Sequence, residues 1–219
     1  ENRIAAESLF KKMRAGKTLK TFTQDQKKGT LPKNFDLNKI NVVIYNGCID
    51  EYAGIENAKN KIYKPDETAG IYRMLESLES DSRFFFYLRV HPNLRGLIST
   101  NTQLVDIREL SLRFDNVHVI WPTEEVDSYA LLESCEKIVK FGSTVGIEAT
   151  YWGKPSILAD HHIYEGLNYA YLPNSHNELV KLLKGNIKPL PIDAALKSIF
   201  LMNYNHPYSY SLRQNISKI

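Results

Sequence analysis

Five short runs of this chain are apolar almost throughout, and segments with helical periodicity separate them. The runs are rich in β-branched and aromatic side chains and lie at residues 40–47, 83–92, 117–122, 137–142 and 154–160. Apolar side chains recur at a period of about 3.6 in the intervening residues 67–80, 99–114, 127–135 and 144–153. Strands that are apolar on both faces need helices on both faces. The pattern therefore predicts a doubly wound, Rossmann-like α/β domain with a parallel sheet.

The two ends of the chain add further predicted elements. Residues 1–16 predict a helix that stops at Gly16, and the polar residues 17–39 are typical of a linker. Two later helices are predicted at about 175–185 and 192–202. We therefore divide the chain into a basic N-terminal helix and linker, 1–39, and a Rossmann-like domain with C-terminal helices, 40–219.

Positive charge is concentrated in residues 1–39, which hold ten Lys and Arg against four Asp and Glu, a net charge of +6. The remaining 180 residues carry a net charge of −3. Such a basic segment could contact nucleic acid or anionic lipid, but a solvated linker or domain-joining face is favoured. The chain begins with Glu and not Met, so we expect a piece of a longer protein.

Several protein classes lose support from the composition. A content of 43% hydrophobic and 24% charged residues is typical of a globular protein, and no run resembles a secretory signal or a membrane span. Cys48 and Cys135 lie in unrelated segments, which argues against a disulfide framework and a zinc site. The expectation is a cytoplasmic protein without nucleic-acid partners, with peripheral contact to the inner face of the membrane left open.

Ligands of doubly wound sheets bind outside the carboxyl ends of the strands. After the fourth predicted strand comes FGSTVGIEA, in which Gly142 permits a sharp turn and Ser143 and Thr144 bring hydroxyls to a helix start. The alternative for this segment is a plain helix cap, but its position at a strand exit favours an anion site. Glu148, about one turn further on, could accept hydrogen bonds from sugar hydroxyls or simply complement the helix dipole.

The second predicted strand ends in RVHPN. Arg89 and His91, both candidate ligand-binding residues, share a strand face, and Pro92 ends the ladder so that His91 lies at the rim. An imidazole there can donate to a phosphate oxygen or protonate a leaving phosphate, which makes His91 the candidate catalytic residue. A core histidine bonded to a backbone carbonyl is an equally weighted alternative.

The other strand exits carry weaker signals. Asp127 is favoured as a helix N-cap, and the backbone from Pro122 to Val126 could contact a pyrimidine edge. Asp160, His161 and His162 do not have metal-ligand spacing, so neither a metal nor another cofactor is predicted. The chain also has no Asp-x-Asp, no phosphate-binding Gly-x-x-x-x-Gly-Lys and no Gly-x-Gly-x-x-Gly, which disfavours nucleotide hydrolases and dinucleotide dehydrogenases.

Four segments, taken together, resemble bacterial capsule polysaccharide and surface-carbohydrate biosynthesis proteins. They are YNGCIDEY, RVHPN, WPTEEVDSYALLES and KFGSTVGIEATYWGKPSIL, within about residues 40–185. These proteins are similar to the donor-binding half of GT-B glycosyltransferases. The His-Pro and Ser-Thr pairs resemble the HP and SS motifs of sialyltransferases and Kdo transferases, which use CMP-activated sugars.

The resemblance implies roles for individual residues. It implies that His91, Ser143 and Thr144 hold the donor phosphate, with Ser-Thr here where sialyltransferases have Ser-Ser. Asn46, Asp50 and Glu51 match the polar exit of the first strand. It also implies that the base for the acceptor comes from another, N-terminal GT-B domain or partner enzyme.

The resulting prediction is a glycosyltransferase donor domain that passes a sugar from a nucleotide-activated, CMP-linked donor to a bacterial glycan acceptor. Two alternatives stay open at this point. One is a glycerophosphotransferase that uses CDP-glycerol, because teichoic acid polymerases look similar at the His-Pro exit. The other is a non-catalytic Rossmann-like module that binds a nucleotide or a partner enzyme. The basic residues 1–39 favour this alternative.

Overall fold

The computed structural model describes residues 2–18, 23, 25–48, 62–96, 101–159 and 165–204. Within these residues, five parallel strands form one sheet in the order β3-β2-β1-β4-β5. The strands are β1 Ile40–Tyr45, β2 Phe84–Arg89, β3 Val117–Ile120, β4 Lys137–Lys140 and β5 Ser156–Leu158. Each of them lies inside one of the runs that the sequence predicts to be a strand.

Seven α-helices connect and flank these strands in the described residues. They are α1 Asn2–Arg14, α2 Glu67–Leu78, α3 Thr102–Arg113, α4 Ser128–Ser134, α5 Val145–Tyr151, α6 His176–Lys184 and α7 Ile192–Tyr204. Side chains cap the first turns of several helices: Asp66 accepts from Thr68 N–H at 2.9 Å, and Ser175 accepts from Glu178 N–H at 3.2 Å. None of the described helices has the length and apolar character required to cross a membrane.

Helices cover both faces of the sheet. On one face, α2, α3 and α6 pack on apolar strand residues such as Ile44, Phe86 and Val139. On the other face, α4 and α5 pack on Val43 and Ile138, while α1 and α7 extend the core around Leu158. The predicted doubly wound, Rossmann-like α/β fold is therefore confirmed, and hydrophobic burial on both faces explains why its strands are apolar throughout.

The described part of the N-terminal segment contacts this sheet domain. Phe10 of α1 is fully buried and stacks on Tyr151 of α5, with ring centroids 3.9 Å apart. Further along, Phe35 stacks on Tyr87 at 4.9 Å, and the Tyr87 hydroxyl donates to Asn34 O at 3.4 Å. The division of the chain after residue 39 stays a prediction.

The strand order reverses between β1 and β4, which are neighbours in space but not in sequence. Tyr45 at the end of β1 is in register with Arg89 at the end of β2 and with Lys140 at the end of β4. Strands are spaced about 4.8 Å apart, so the segments that follow these three residues lie within about 10 Å of each other. A ligand site of this fold class is expected at this edge.

Candidate functional site

The exits of β1 and β2 are joined by one buried side chain. Asn46 is 1% exposed; its Oδ1 accepts a hydrogen bond from His91 N–H at 2.8 Å, and its Nδ2 donates to Gly47 O at 2.8 Å. Asn46 therefore fixes the backbone of the His-Pro segment. Its predicted contact with a ligand stays a prediction.

The His91 ring is held in one tautomer. Its Nδ1 accepts a hydrogen bond from Asn93 N–H at 3.2 Å in the short 3₁₀ turn Pro92–Leu94, which directly follows the strand. A neutral imidazole that accepts at Nδ1 carries its proton on Nε2. Strand β2 ends at Arg89, before Pro92, as the sequence predicts. His91 follows the strand and is half-buried at the sheet edge. In this tautomer the Nε2–H is the hydrogen-bond donor of the ring.

Two buried side chains that the sequence analysis did not select brace the exit of β1. Gly47 N–H donates to Glu67 Oε2 at 3.1 Å, and Gln103 Nε2 donates to Gly47 O at 3.1 Å and to Glu67 Oε1 at 2.5 Å. Glu67 and Gln103 come from the first turns of α2 and α3. Their positions near helix starts gave no signal for this role, because the contact joins segments that are distant in sequence.

The segment after β4 forms a tight loop. Gly142 has φ of +64°, a left-handed conformation that favours glycine, and Ser143 N–H donates to Phe141 O at 2.8 Å. The Ser143 hydroxyl accepts from Val145 N–H at 3.3 Å, while Thr144 makes no side-chain cap. Ser143 and Thr144 are half-buried and lie beside the β1 exit, because Phe141 N–H donates to Tyr45 O at 2.9 Å.

A lysine lies beneath this loop. Lys140 is fully buried, and its Nζ donates to Ser143 O at 2.6 Å and to the Tyr169 hydroxyl at 2.8 Å. Burial holds the pKa of Lys140 well below its usual range. The sequence did contain a signal for this residue, since a lysine within an otherwise apolar predicted strand must be buried or displaced.

Glu148 lies on α5 but is 7% exposed, and the Tyr129 hydroxyl of α4 donates a hydrogen bond to its Oε2. Burial raises the pKa of Glu148 to about 7, against the opposing effect of this hydrogen bond. The same burial, together with Glu148, raises the pKa of Tyr129. Glu148 is therefore a partly protonated carboxyl at neutral pH, and its predicted contact with ribose stays a prediction.

Arg89 contacts the loop that follows β3. It is 5% exposed, and its Nη1 donates to Trp121 O at 3.3 Å and to Glu124 O at 3.5 Å, so it orders the loop that contains Pro122. Burial lowers the pKa of Arg89. Nearby, Asp127 accepts from Tyr129 N–H at 2.9 Å, which confirms its predicted role as the N-cap of α4. The predicted ligand contacts of Arg89 and Pro122 stay predictions.

Some predicted residues lie outside the described part of the chain. These are Asp50 and Glu51 at the β1 exit, and Asp160, His161 and His162 after β5. Within the described ranges, no group of three or more His, Cys, Asp or Glu side chains could hold a metal ion. The described candidate residues at this edge are therefore His91, Asn46, Gly142, Ser143 and Thr144, and Lys140 and Glu148 are buried on β4 and α5.

A surface groove of about 610 Å³ lies apart from these residues. It runs between α2 and α6, with Ser77 and His176 in its wall, and the Ser77 Oγ to His176 Nε2 distance is 2.8 Å. None of the predicted site residues lines it.

No protein-family model matches the chain, and no curated protein matches its sequence significantly. Solved structures do match. KpsC of Thermosulfurimonas dismutans, described as a beta Kdo 2,4 transferase, superposes with a TM-score of 0.51 and 17% identity over 90% of this chain and 55% of its own length. The chain thus spans about half the length of that protein.

Two further structures match at lower TM-scores. The UDP-GlcNAc 2-epimerase of Neisseria meningitidis has a TM-score of 0.46 and 16% identity, over 93% of this chain and 53% of its own. The wall teichoic acid polymerase TagF has a TM-score of 0.44 and 13% identity in its H444N variant, over 93% of this chain and 45% of its own. The similarity to KpsC supports the Rossmann-like α/β fold, as the sequence predicted.

Proposed function

We propose that this chain is the donor-binding part of a glycosyltransferase that takes a CMP-linked sugar and passes it to a bacterial surface polysaccharide. The observation that carries the proposal is the meeting of two phosphate-suited strand exits at the reversal of strand order. Asn46 fixes the His91 segment on one side of β1, and Phe141 N–H ties the Gly142–Thr144 loop to the other side. The fold shared with the Kdo transferase is consistent with this proposal.

His91 acts on the departing phosphate. Its Nδ1 is occupied by Asn93 N–H, so the neutral ring donates through Nε2. A donor fixed in advance stabilises the negative charge that develops on a leaving phosphate, and it needs no reorganisation during the reaction. Transfer of a proton to the leaving oxygen would require the imidazolium form of the ring, because a neutral imidazole that gives up its Nε2 proton becomes an imidazolate.

The loop after β4 holds the phosphate itself, and Glu148 lies behind it. The Ser143 hydroxyl and the loop backbone supply hydrogen-bond donors, while the tight turn at Gly142 lets the chain approach the ligand. Glu148 accepts hydrogen bonds from ribose hydroxyls in this proposal, which requires it to turn from Tyr129 toward the edge. The loop at Pro122 contacts the pyrimidine.

The acceptor side belongs to another domain. Transfer requires a base for the acceptor hydroxyl, and the described residues at the site supply phosphate contacts but no exposed carboxylate aimed at the same edge. We therefore expect this chain to bind donor and to hydrolyse it slowly at most. Proximity of donor and acceptor can lower the activation barrier by ~7–11 kcal/mol, and a chain that does not position the acceptor loses much of this effect. An N-terminal GT-B domain or partner enzyme completes the site.

The test is calorimetric titration of the protein with CMP, paired with thermal unfolding in CMP, CDP-glycerol or UDP. Cytidine nucleotides should raise the melting temperature. His91→Ala and Ser143→Ala should each weaken CMP binding by about ten- to a hundredfold, because a hydrogen bond to a charged group contributes roughly 1.5–3 kcal/mol. The matched controls are His118→Ala on β3 and Ser111→Ala on α3, which lie outside the site.

Three results bear on the assignment. Wild-type affinity in both site variants would contradict the phosphate site. Stabilisation by CDP-glycerol far beyond that by CMP would assign the chain to glycerophosphate transfer. Binding without any turnover after the chain is supplied with its N-terminal domain would favour the non-catalytic module.

A further inference from the structure

Lys140 is a buried amine placed directly under the proposed phosphate loop. Its exposure is 0%, and its Nζ has two hydrogen-bond acceptors, Ser143 O at 2.6 Å and the Tyr169 hydroxyl at 2.8 Å. The Nζ also lies 4.7 Å from the centroid of the Tyr169 ring. Among the described residues, no carboxylate pairs with it. A buried cation without a counter-ion is costly in a core and needs an explanation.

The helix that covers the lysine leaves room for it. A Cβ atom at Gly146 would lie 2.4 Å from Lys140 Cδ and 2.8 Å from Ser156 Oγ, so a side chain at this position would displace the lysine. Glycine has a lower helix propensity than alanine. Glycine at position 146 therefore makes room for the Lys140 side chain, at some cost in the stability of α5.

The hydrogen bond to Ser143 O sets the direction of the next peptide group. The Ser143–Thr144 peptide is trans, and in a planar trans peptide the C=O and the N–H point in opposite directions. With the carbonyl directed inward to Lys140, the Thr144 N–H is directed away from the interior. No described residue accepts a hydrogen bond from it.

Electrostatics link the lysine to the charge on the loop. Burial is the cause that lowers the pKa of Lys140, and no described charged group contributes to this shift. The titratable groups on the elements packed around it are Tyr169, Tyr45 on β1, and Glu148 and Tyr151 on α5. An anion on the outer side of the loop would favour the ammonium form, since opposite charges within several ångströms stabilise each other strongly in a low-dielectric interior.

We propose that Lys140 is the positioning residue of the donor-phosphate loop: it holds the Ser143 carbonyl inward, turns the Thr144 N–H toward the phosphate, and takes up a proton when the phosphate binds. The inference rests on the function proposed above for this loop, and it adds a proton to the binding reaction. A purely structural lysine would hold the loop without any change of protonation. Proton uptake on ligand binding therefore distinguishes the proposed role of Lys140 from a structural one.

The test is titration calorimetry of the intact chain with CMP between pH 7.5 and 9, in pairs of buffers with different ionisation enthalpies. The second phosphate pKa of about 6 lies below this range, so the ligand keeps its charge. Wild-type protein should take up a fraction of a proton per CMP bound, and its affinity should fall by up to about tenfold per pH unit. Lys140→Met should bind CMP about tenfold or more weakly, without proton uptake and without this pH dependence.

The matched control is Lys154→Met. Lys154 also donates to a backbone carbonyl, Cys135 O at 3.0 Å, but it lies at the other end of α5. This variant should keep wild-type affinity and proton uptake. If Lys140→Met does not fold, Tyr169→Phe replaces it: loss of the hydroxyl that accepts from Nζ should move the fall in affinity to lower pH.

The outcomes separate the two proposals. Absence of CMP binding by the wild-type protein would overturn both the proposed function and this inference. Binding without proton uptake, or equal proton uptake by wild type and Lys140→Met, would overturn the inference alone. An unchanged pH profile in Tyr169→Phe would do the same.

Discussion

Glu148→Gln should stabilise the protein at pH 8, although it removes a carboxylate from the first turn of a helix. The reason is burial: Glu148 is 7% exposed, and its pKa rises from 4.5 to about 7. Below pH 4.5 the carboxyl is protonated in both the folded and the unfolded chain. Between pH 4.5 and 7 the unfolded chain releases this proton while the folded chain retains it, so the free energy of unfolding falls as the pH rises.

The magnitude follows from the two pKa values. At about 1.36 kcal/mol for each tenfold change in proton affinity, the rise from 4.5 to about 7 corresponds to about 3 kcal/mol of lost stability at pH 8. A glutamine has nearly the same shape, and its amide oxygen can still accept the hydrogen bond from the Tyr129 hydroxyl. The variant should therefore gain about 2–3 kcal/mol at pH 8 and differ little from wild type at pH 4.5.

Urea denaturation at a series of pH values between 4.5 and 8 measures this difference. The matched control is Glu109→Gln, an exposed glutamate on α3, which should change stability by less than about 0.5 kcal/mol at every pH. Parallel stability curves for wild type and Glu148→Gln, or a loss of stability in the variant at pH 8, would refute the argument that burial dominates this carboxyl.

Two more outcomes are expected. If Glu148 binds ribose, Glu148→Gln should weaken CMP binding while leaving inorganic phosphate binding nearly unchanged, and equal wild-type affinities for CMP and its 2′,3′-dideoxy analogue would remove that role. Asp127→Ala should lower the free energy of unfolding by about 1–2 kcal/mol, because Asp127 caps α4 and also accepts from Gly29 N–H at 2.7 Å. Chemical denaturation beside the exposed control Asp115→Ala checks this, and equal losses in the two variants would contradict it.

Local chemistry made much of the fold predictable. The strands β1 to β5 lie inside the predicted runs because a parallel sheet buried on both faces requires apolar residues at consecutive positions. Asp127 could be recognised as a cap and Pro92 as the end of a strand ladder, since both effects depend on one residue and its immediate neighbours. The expectation of a ligand site at the carboxyl edge of the sheet follows from the parallel arrangement alone.

The pKa shifts of the charged residues and the burial of Arg89 and Glu148 could not be predicted from their neighbours in the sequence. The apolar strand around Lys140 is a signal that this residue is buried, but it does not specify what surrounds the amine, and the structure buries Arg89 and Glu148 as well. Their pKa directions follow from desolvation, which depends on how many protein atoms surround each group and not on its sequence neighbours.

The sequence by itself determined that the chain forms a parallel α/β sheet and which segments leave its carboxyl edge, because hydrophobic periodicity and turn chemistry are local properties. Only the tertiary structure decided which polar groups meet there. Asn46 reaches His91 across 45 residues, Gln103 reaches Gly47 across 56, and Tyr129 reaches Glu148 across 19. Such hydrogen bonds form between strands and helices that meet only when the chain folds. The sequence next to each residue therefore does not indicate its partner.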